Sequence, residues 1–202
     1  MTTPAAENPA TASYYVGDAF YQDLVDAFGH LEADLPELAD RDLRDRVALL
    51  LGREARLLEQ ERYDAWLDLF VAECAYWVPA TRPPGDPRRE ITVAFHDRRQ
   101  LEDRIFRIRT GYAWSQSPAS RTVRQVTNIA VFALPADGMQ DGGRLLARST
   151  FQIAEFRDGD LRRLDGHAGH LLVDGADGLR IQAKQVNLID CDQSLRNPSI
   201  MF

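Results

Sequence analysis

The chain has 202 residues, of which 45% are hydrophobic and 9% aromatic, a composition ordinary for one globular domain with its own core. Its 24 basic and 31 acidic residues give a formal net charge of -7, which disfavours binding to nucleic acid or to an anionic membrane surface. All basic residues except Lys184 are arginines, whose guanidinium groups can hold carboxylates with two hydrogen bonds.

Residues 1 to 45 are predicted to form a partly disordered acidic arm ahead of the main domain, which we place at residues 46 to 202. Residues 1 to 13 are rich in Thr, Pro, Ala and Asn, a composition typical of a disordered tail. Helical spacing of apolar residues predicts a short amphipathic helix from Asp18 to His30. The arm holds ten acidic residues against Arg41 and Arg44.

Three helices and two strands are predicted between residues 40 and 111. A leucine-rich stripe from Leu43 to Leu58 predicts the clearest helix, with Asp40 as its N-cap. A second helix is expected from Tyr63 to Val71. The segments CAYWVPA and ITVAF are predicted strands, separated by the proline- and glycine-containing loop RPPGDPRRE. The third helix begins with a capping pair at positions 97 and 100 and stops at Gly111.

The chain after Ser120 is predicted to be β structure. Alternation of apolar and polar residues from Leu145 to Ile153 has the period of a half-buried strand. The stretches 158–160 and 174–178 are predicted turns between later strands. Helices followed by a long meander indicate an α+β fold, a cone-shaped roll of N-terminal helices packed on a curved, mostly antiparallel sheet.

Cysteine usage and hydropathy favour a cytoplasmic protein. Cys74 and Cys191 lie far apart without C-x-x-C spacing, so neither a disulfide framework nor a zinc ribbon is expected. The first residues lack the basic and apolar regions of a signal peptide. No apolar run approaches the roughly 20 residues needed to span a bilayer.

The titratable residues offer one candidate for acid–base chemistry and none for metal binding. His167 and His170 are three apart in a predicted turn or strand, where their side chains point to opposite faces. Tyr63, Asp64 and His96 could lie at the mouth of a conical pocket, where an Asp and a His could abstract and return a proton. The alternative is that Tyr63 and Asp64 open a helix and that His96 precedes a helix cap.

An excess of arginine with two large aromatics marks residues 97 to 124. This stretch contains seven arginines against three acidic residues, together with Tyr112 and Trp114. Aromatic and arginine side chains are enriched in the cores of protein interfaces. We therefore predict a subunit interface here; the alternative is that the arginines pair within the chain with the acidic residues of positions 1 to 45.

Long motifs in order along the chain resemble the small (β) subunit of aromatic-ring-hydroxylating dioxygenases, members of the Rieske non-heme iron oxygenase family. They are EARLLEQERYDAWLDLFVAECAYWVPATR, DRRQLEDRIFRIRTGYAWSQSPASRTVRQVTNIAV and KQVNLIDCDQSLRNPSIMF, and the resemblance runs from about Arg53 to Phe202. It implies a nuclear-transport-factor-2-like or scytalone-dehydratase-like fold for residues 46 to 202. Residues 1 to 45 are longer than expected ahead of the first motif, and the hairpin GHAGHLLVDGADGLRI lacks the Tyr and Trp of many members.

The resemblance also implies a role in a larger enzyme. In this family the α subunit carries a Rieske [2Fe-2S] cluster and a mononuclear iron, and the β subunit carries neither. An α3β3 complex takes electrons from NAD(P)H through a reductase and often a ferredoxin, and adds O2 to an aromatic ring as a cis-dihydrodiol. The residues expected at subunit interfaces in this chain are Arg104, Arg107, Arg109, Tyr112, Trp114, Arg121, Arg124, Met201 and Phe202.

Two other functions are compatible with the residues. One is a stand-alone dehydratase or isomerase of the same fold, with Asp64 and His96 as its acid–base pair. The other is a small-ligand-binding module whose apolar pocket performs no chemistry. The aromatic substrate is not assigned, because in the family that the chain resembles the α subunit mainly sets it.

Overall fold

The helices and strands follow one another in the predicted order in a computed structural model, which describes residues 16–33, 35–134, 144–196 and 199–202 apart from the side chain of residue 32. Short 3₁₀ turns occupy His30–Glu32 and Trp114–Gln116. The helices and strands are α1 (Asp18–Gly29), α2 (Arg41–Glu59), α3 (Tyr63–Leu67), β1 (Phe70–Pro79), β2 (Thr92–Asp97), α4 (Arg98–Arg109), β3 (Arg121–Ala133), β4 (Arg144–Arg157), β5 (Asp160–Gly175) and β6 (Gly178–Leu188).

The six strands form one sheet in the order β2-β1-β6-β5-β4-β3. Strands β3 to β6 are a continuous antiparallel meander, and β1 joins β6 in parallel while β2 pairs antiparallel with β1. The predicted alternation on β4 is confirmed, because the side chains from Leu145 to Ile153 at every second position are buried on one face. The predicted turn at 158–160 is a tight β4–β5 connection in which Asp158 and Gly159 both have positive φ.

Apolar clusters cover both faces of the sheet. The larger cluster lies on the inner face, where α2, α3 and α4 bury residues such as Leu51, Trp66 and Leu101 against the strands. The smaller cluster lies on the outer face, where α1 packs Leu24 and Phe28 over β1 and β5. The predicted α+β roll, with helices on a curved and mostly antiparallel sheet, is therefore confirmed.

The helix boundaries follow their capping residues. The Asp40 side chain accepts a hydrogen bond from the Leu43 amide at 3.0 Å, as predicted. Asp97 and Gln100 form a reciprocal capping box at the start of α4, and Gly111 follows that helix with a φ of 75°. The predicted helix from Tyr63 to Val71 was too long: α3 ends at Leu67, because β1 begins at residue 70 and pairs with β6.

The acidic arm predicted for residues 1 to 45 differs from the described structure in two respects. Helix α2 crosses the proposed boundary, since its first turn begins at Arg41. Helix α1 is packed rather than appended: Phe28 lies edge-on to Trp77 with ring centroids 6.2 Å apart. Gly169 allows this approach, because a Cβ there would be 2.4 Å from a methyl group of Leu31. The predicted disordered tail, residues 1 to 13, lies outside the described residues.

Among the described residues, no helix combines the length and apolarity needed to cross a membrane.

Candidate functional site: the cone interior and the Trp114 groove

A buried carboxylate organises the polar interior between α2 and the sheet. Glu54, on α2, is only 3% exposed. Its Oε1 accepts hydrogen bonds from Lys184 Nζ at 2.8 Å and from Trp66 Nε1 at 3.1 Å. Its Oε2 lies 3.1 Å from Nε2 of His170 on β5. Three elements of the fold thus converge on one charge that has been removed from water.

The charge states of the groups in this cluster result from two opposing effects, which are burial away from water and pairing with neighbouring charges and hydrogen-bond donors. Burial alone would raise the pKa of the Glu54 carboxyl, but the neighbouring Lys184 charge and the hydrogen bonds from Lys184 and His170 hold that pKa below its ordinary range. Burial lowers the pKa of His170, so its imidazole is neutral at neutral pH. A neutral His170 satisfies the geometry when its Nε2–H donates to the carboxylate. The groups therefore form an ion pair between Glu54 and Lys184, supported by two uncharged donors.

Residues 199–202, which we call the 199–202 segment, contact this cluster through Lys184. Lys184 Nζ donates to the main-chain oxygen of Phe202 at 2.9 Å. The Arg124 guanidinium donates to the carbonyl oxygen of Met201 at 2.5 Å, and the Phe202 amide donates to the Tyr76 hydroxyl at 2.8 Å. Beside Phe202 there remains a cavity of about 30 Å³, which is room for one or two water molecules and not for an aromatic substrate.

The residues considered for acid–base catalysis do not form a catalytic pair. The Asp64 side chain is 70% exposed and forms an ion pair with Arg109 on the surface. His96 lies in a separate groove, where burial and then the charges of Arg104 and Arg107 lower its pKa to about 4. Burial raises the pKa of Tyr63, which keeps its phenol protonated. The stand-alone dehydratase or isomerase hypothesis therefore has less support than the β-subunit hypothesis.

Most of the arginines predicted at an interface have partners within the chain. Arg104 donates to the carbonyl oxygens of residues 199 and 200 at 2.6 and 3.1 Å. Arg107 pairs with Asp103 at 3.0 Å, one helical turn away. The Arg121 guanidinium lies over the Phe156 ring, 4.6 Å from its centroid. These partners lie outside residues 1 to 45, so the alternative of pairing with the acidic arm does not describe these contacts.

The two aromatic residues of the predicted interface border an open groove, the Trp114 groove. Trp114 is 81% exposed and Tyr112 is 69% exposed, large values for side chains of this size. The groove has a volume of about 520 Å³, and none of its twelve lining residues is acidic. Those residues are Val93, Ala94, His96, Arg104, Arg107, Ile108, Tyr112, Ala113, Trp114, Ser115, Gln116 and Ser199.

Met201 and Phe202 were predicted at an interface because an apolar end is costly in water. That premise does not hold, since the two side chains are 3% and 5% exposed within their own chain. Contact of this segment with another subunit stays a prediction. Sequence reasoning missed the roles of Tyr76 and Lys184 in holding the segment, and that of Glu54 in pairing with Lys184. The available signal was the only lysine of the chain, which stands within a predicted strand.

Three side chains of the kinds that bind metals, His96, His170 and Cys74, are poorly suited to do so here. His170 donates to Glu54, and His96 lies beside two arginine charges. Burial raises the pKa of the Cys74 thiol to about 12, which disfavours the thiolate that a metal requires. No three His, Cys, Asp or Glu side chains gather into a metal-binding group in the described part of the chain.

The arrangement of helices over an open, curved sheet defines the nuclear-transport-factor-2-like class of α+β folds. A naphthalene 1,2-dioxygenase structure shares the fold with a TM-score of 0.68 at 20% identity, over 93% of this chain and 95% of that one. The β subunit of the benzoate 1,2-dioxygenase from Burkholderia mallei matches with a TM-score of 0.58 at 27% identity, over 77% of this chain and 95% of that one.

The sequence comparison identifies the family. The model of the family described as "Ring hydroxylating beta subunit" matches residues 53–193. The N,N-dimethyl phenylurea N-demethylase subunit beta of Sphingobium sp. strain YBL2 is 30% identical over 187 residues, which are 87% of this chain and 97% of that protein. The chain belongs to the ring-hydroxylating β-subunit family. It is thus the β subunit of an aromatic-ring-hydroxylating dioxygenase, an oxidoreductase component that associates with an α oxygenase subunit.

Proposed function

We propose that this chain is the non-catalytic assembly subunit of an α3β3 oxygenase, in which three copies form a trimer and support three α subunits. The complex would cis-dihydroxylate an aromatic compound with O2 and electrons derived from NAD(P)H. The observation that carries the proposal is the Trp114 groove, which displays the exposed side chains of Tyr112, Trp114 and Arg107. The acid–base groups of the interior, by contrast, are bound to one another and to residues 199–202.

The groove has the composition of an interface and not that of a catalytic pocket. Trp114 and Tyr112 offer large rigid apolar surfaces, which contribute most to binding when a partner removes them from water. Arg107 is half exposed and its acid partner, Asp103, lies on the same surface helix, so a partner carboxylate could share its guanidinium. A partner surface with apolar residues around a carboxylate would fit this groove, and we assign that role to a neighbouring subunit.

The cofactors are proposed to lie on the α subunit. A Rieske [2Fe-2S] cluster and a mononuclear Fe(II) would receive electrons from the reductase, with or without a ferredoxin, through the assembled complex. The described residues of this chain fit neither group: His170 is bound to Glu54, and His96 lies in positive surroundings that repel a cation. This chain would contribute support and positioning, and no step of the oxidation.

The substrate is proposed as an aromatic compound that the cytoplasmic complex degrades. The similar proteins are named for benzoate 1,2-dioxygenase and N,N-dimethyl phenylurea N-demethylase, two reactions on aromatic compounds of different size. Because the described interior leaves a cavity of about 30 Å³, we assign substrate selection mainly to the α subunit.

The interface assignment is tested by replacing Tyr112 and Trp114 with serine and co-purifying the variant with the α subunit. Loss of two central aromatic contacts is expected to weaken assembly by about 2–4 kcal/mol, roughly 30- to 1,000-fold. The stability of the isolated chain should change by less than about 0.5 kcal/mol, because both side chains are exposed. Leu161→Ser removes a similarly exposed apolar side chain from the first residues of β5 and is the matched control. Unchanged assembly in the double variant would contradict the assignment.

A further inference from the structure

The 199–202 segment is held by side chains in the way that a binding site holds a peptide. A main-chain oxygen of each of its four residues accepts a hydrogen bond from a cationic side chain. Arg104 binds the oxygens of residues 199 and 200, Arg124 that of residue 201 and Lys184 that of residue 202. Four separate elements supply the site, since Tyr76 on β1 also accepts the amide hydrogen of residue 202.

The side chains of the segment fill an apolar seat. Ile200, Met201 and Phe202 are 3–5% exposed and belong to the main apolar cluster of the cone. Phe202 also lines the small interior cavity beside Glu54 and Lys184. An apolar lining with a few convergent polar groups is the usual construction of a site for a small ligand.

Charge explains why main-chain oxygens are the groups recognised. Three cations, Arg104, Arg124 and Lys184, surround the segment, and the Glu54 carboxylate pairs with one of them. Burial lowers the pKa of both arginines, because their charged forms are less stable away from water. The main-chain oxygens of residues 199–202 offset the cost of that burial. The seat therefore favours a segment whose main-chain oxygens point inward.

We propose that the apolar seat of the 199–202 segment is a binding site for a short apolar peptide. In this chain the seat is occupied by that segment, and it binds the same peptide when the peptide is supplied as a separate molecule. The required ligand is a tetrapeptide with large apolar side chains at its last three positions. Arg124 and Lys184 select its backbone oxygens, and the apolar seat selects its side chains. The proposal does not rest on the role of the Trp114 groove, although Arg104 and Ser199 line both sites.

The test uses a full-length variant with serine at positions 200, 201 and 202, whose own segment no longer fills the seat. Acetyl-Ser-Ile-Met-Phe is titrated into this variant by calorimetry, and acetyl-Ser-Ser-Ser-Ser serves as the control peptide. We expect one-to-one binding of the apolar peptide, a raised Tm, and no binding of the control. The parent chain should bind neither peptide, because its seat is filled.

Adding Arg124→Met to the serine variant should weaken peptide binding by at least about tenfold, since a charged hydrogen bond to the backbone is lost. Leu161→Ser, outside the seat, should leave the affinity unchanged. If the serine variant does not fold alone, the apolar peptide should restore its cooperative unfolding transition. The proposal is overturned if the serine variant is folded but does not bind the peptide. It is also overturned if the variant is unfolded and the peptide does not restore its cooperative unfolding transition.

Discussion

Replacing Lys184 with methionine should destabilise the chain far more than the loss of a surface charge. Methionine keeps most of the side-chain volume, but it removes the donor at 2.8 Å from Glu54 and the donor at 2.9 Å from Phe202. The carboxylate then stays buried with only uncharged donors. Breaking a buried pair by removing one partner costs about 3–5 kcal/mol. Arg163→Met, which removes an exposed pair with Asp165, should cost less than about 1 kcal/mol.

The coupling between the two charges is measured with a double variant. Glu54→Gln removes the charge and keeps an acceptor for Trp66, so adding it to Lys184→Met should recover about 2 kcal/mol of the loss. Urea unfolding at pH 7, followed by far-ultraviolet circular dichroism at one protomer concentration, gives the free energies of unfolding. A single variant within about 1 kcal/mol of the parent, or additive losses in the double variant, would refute a tightly paired interior.

Two further predictions concern pH and close packing. The folded-state pKa of His96 is about 4 against an unfolded value of 6.5, so its contribution to stability is present above pH 6.5 and is lost as the pH falls towards 4. His96→Gln should therefore flatten the fall in the free energy of unfolding between pH 7.5 and 4.5; equal slopes for the parent and His96→Gln would contradict this. Gly166→Ala should lower stability by about 1–3 kcal/mol, because a Cβ there would be 2.2 Å from the carbonyl oxygen of Asn187. Gly175→Ala, with open space around its Cβ, should unfold at the parental urea concentration, and equal midpoints for both glycine variants would refute the packing argument.

The elements of the fold were predictable where local chemistry fixes them. Asp40 and the capping pair at positions 97 and 100 set helix starts through short-range hydrogen bonds. The alternation of apolar and polar residues on β4 indicated a strand with one face packed against the core. The end of α3 was not predictable from the apolar run that follows it, because pairing of residue 70 with Ile181 on β6 decides the change to a strand.

The interior site was less predictable than the fold, because its contacts join distant parts of the chain. Glu54 and Lys184 are 130 residues apart, and the helical spacing of α2 indicates no partner for Glu54. The spacing of His167 and His170 correctly indicated opposite faces, but the partner of His170 depends on the packing of α2 over the sheet. Trp114 is exposed because it lies in a 3₁₀ turn, and no periodic sequence pattern predicts the exposure of a residue in such a turn.

We propose that the chain acts through assembly with an α subunit. The most direct measurement is light scattering, iron analysis and turnover of an aromatic substrate, with reductase and NAD(P)H, on the chain alone and after mixing with that subunit. We predict a metal-free trimer without turnover for the chain alone, and an iron-containing complex of six subunits with turnover after mixing. Turnover by the isolated chain, or separate elution of the two proteins at every ratio, would contradict the account.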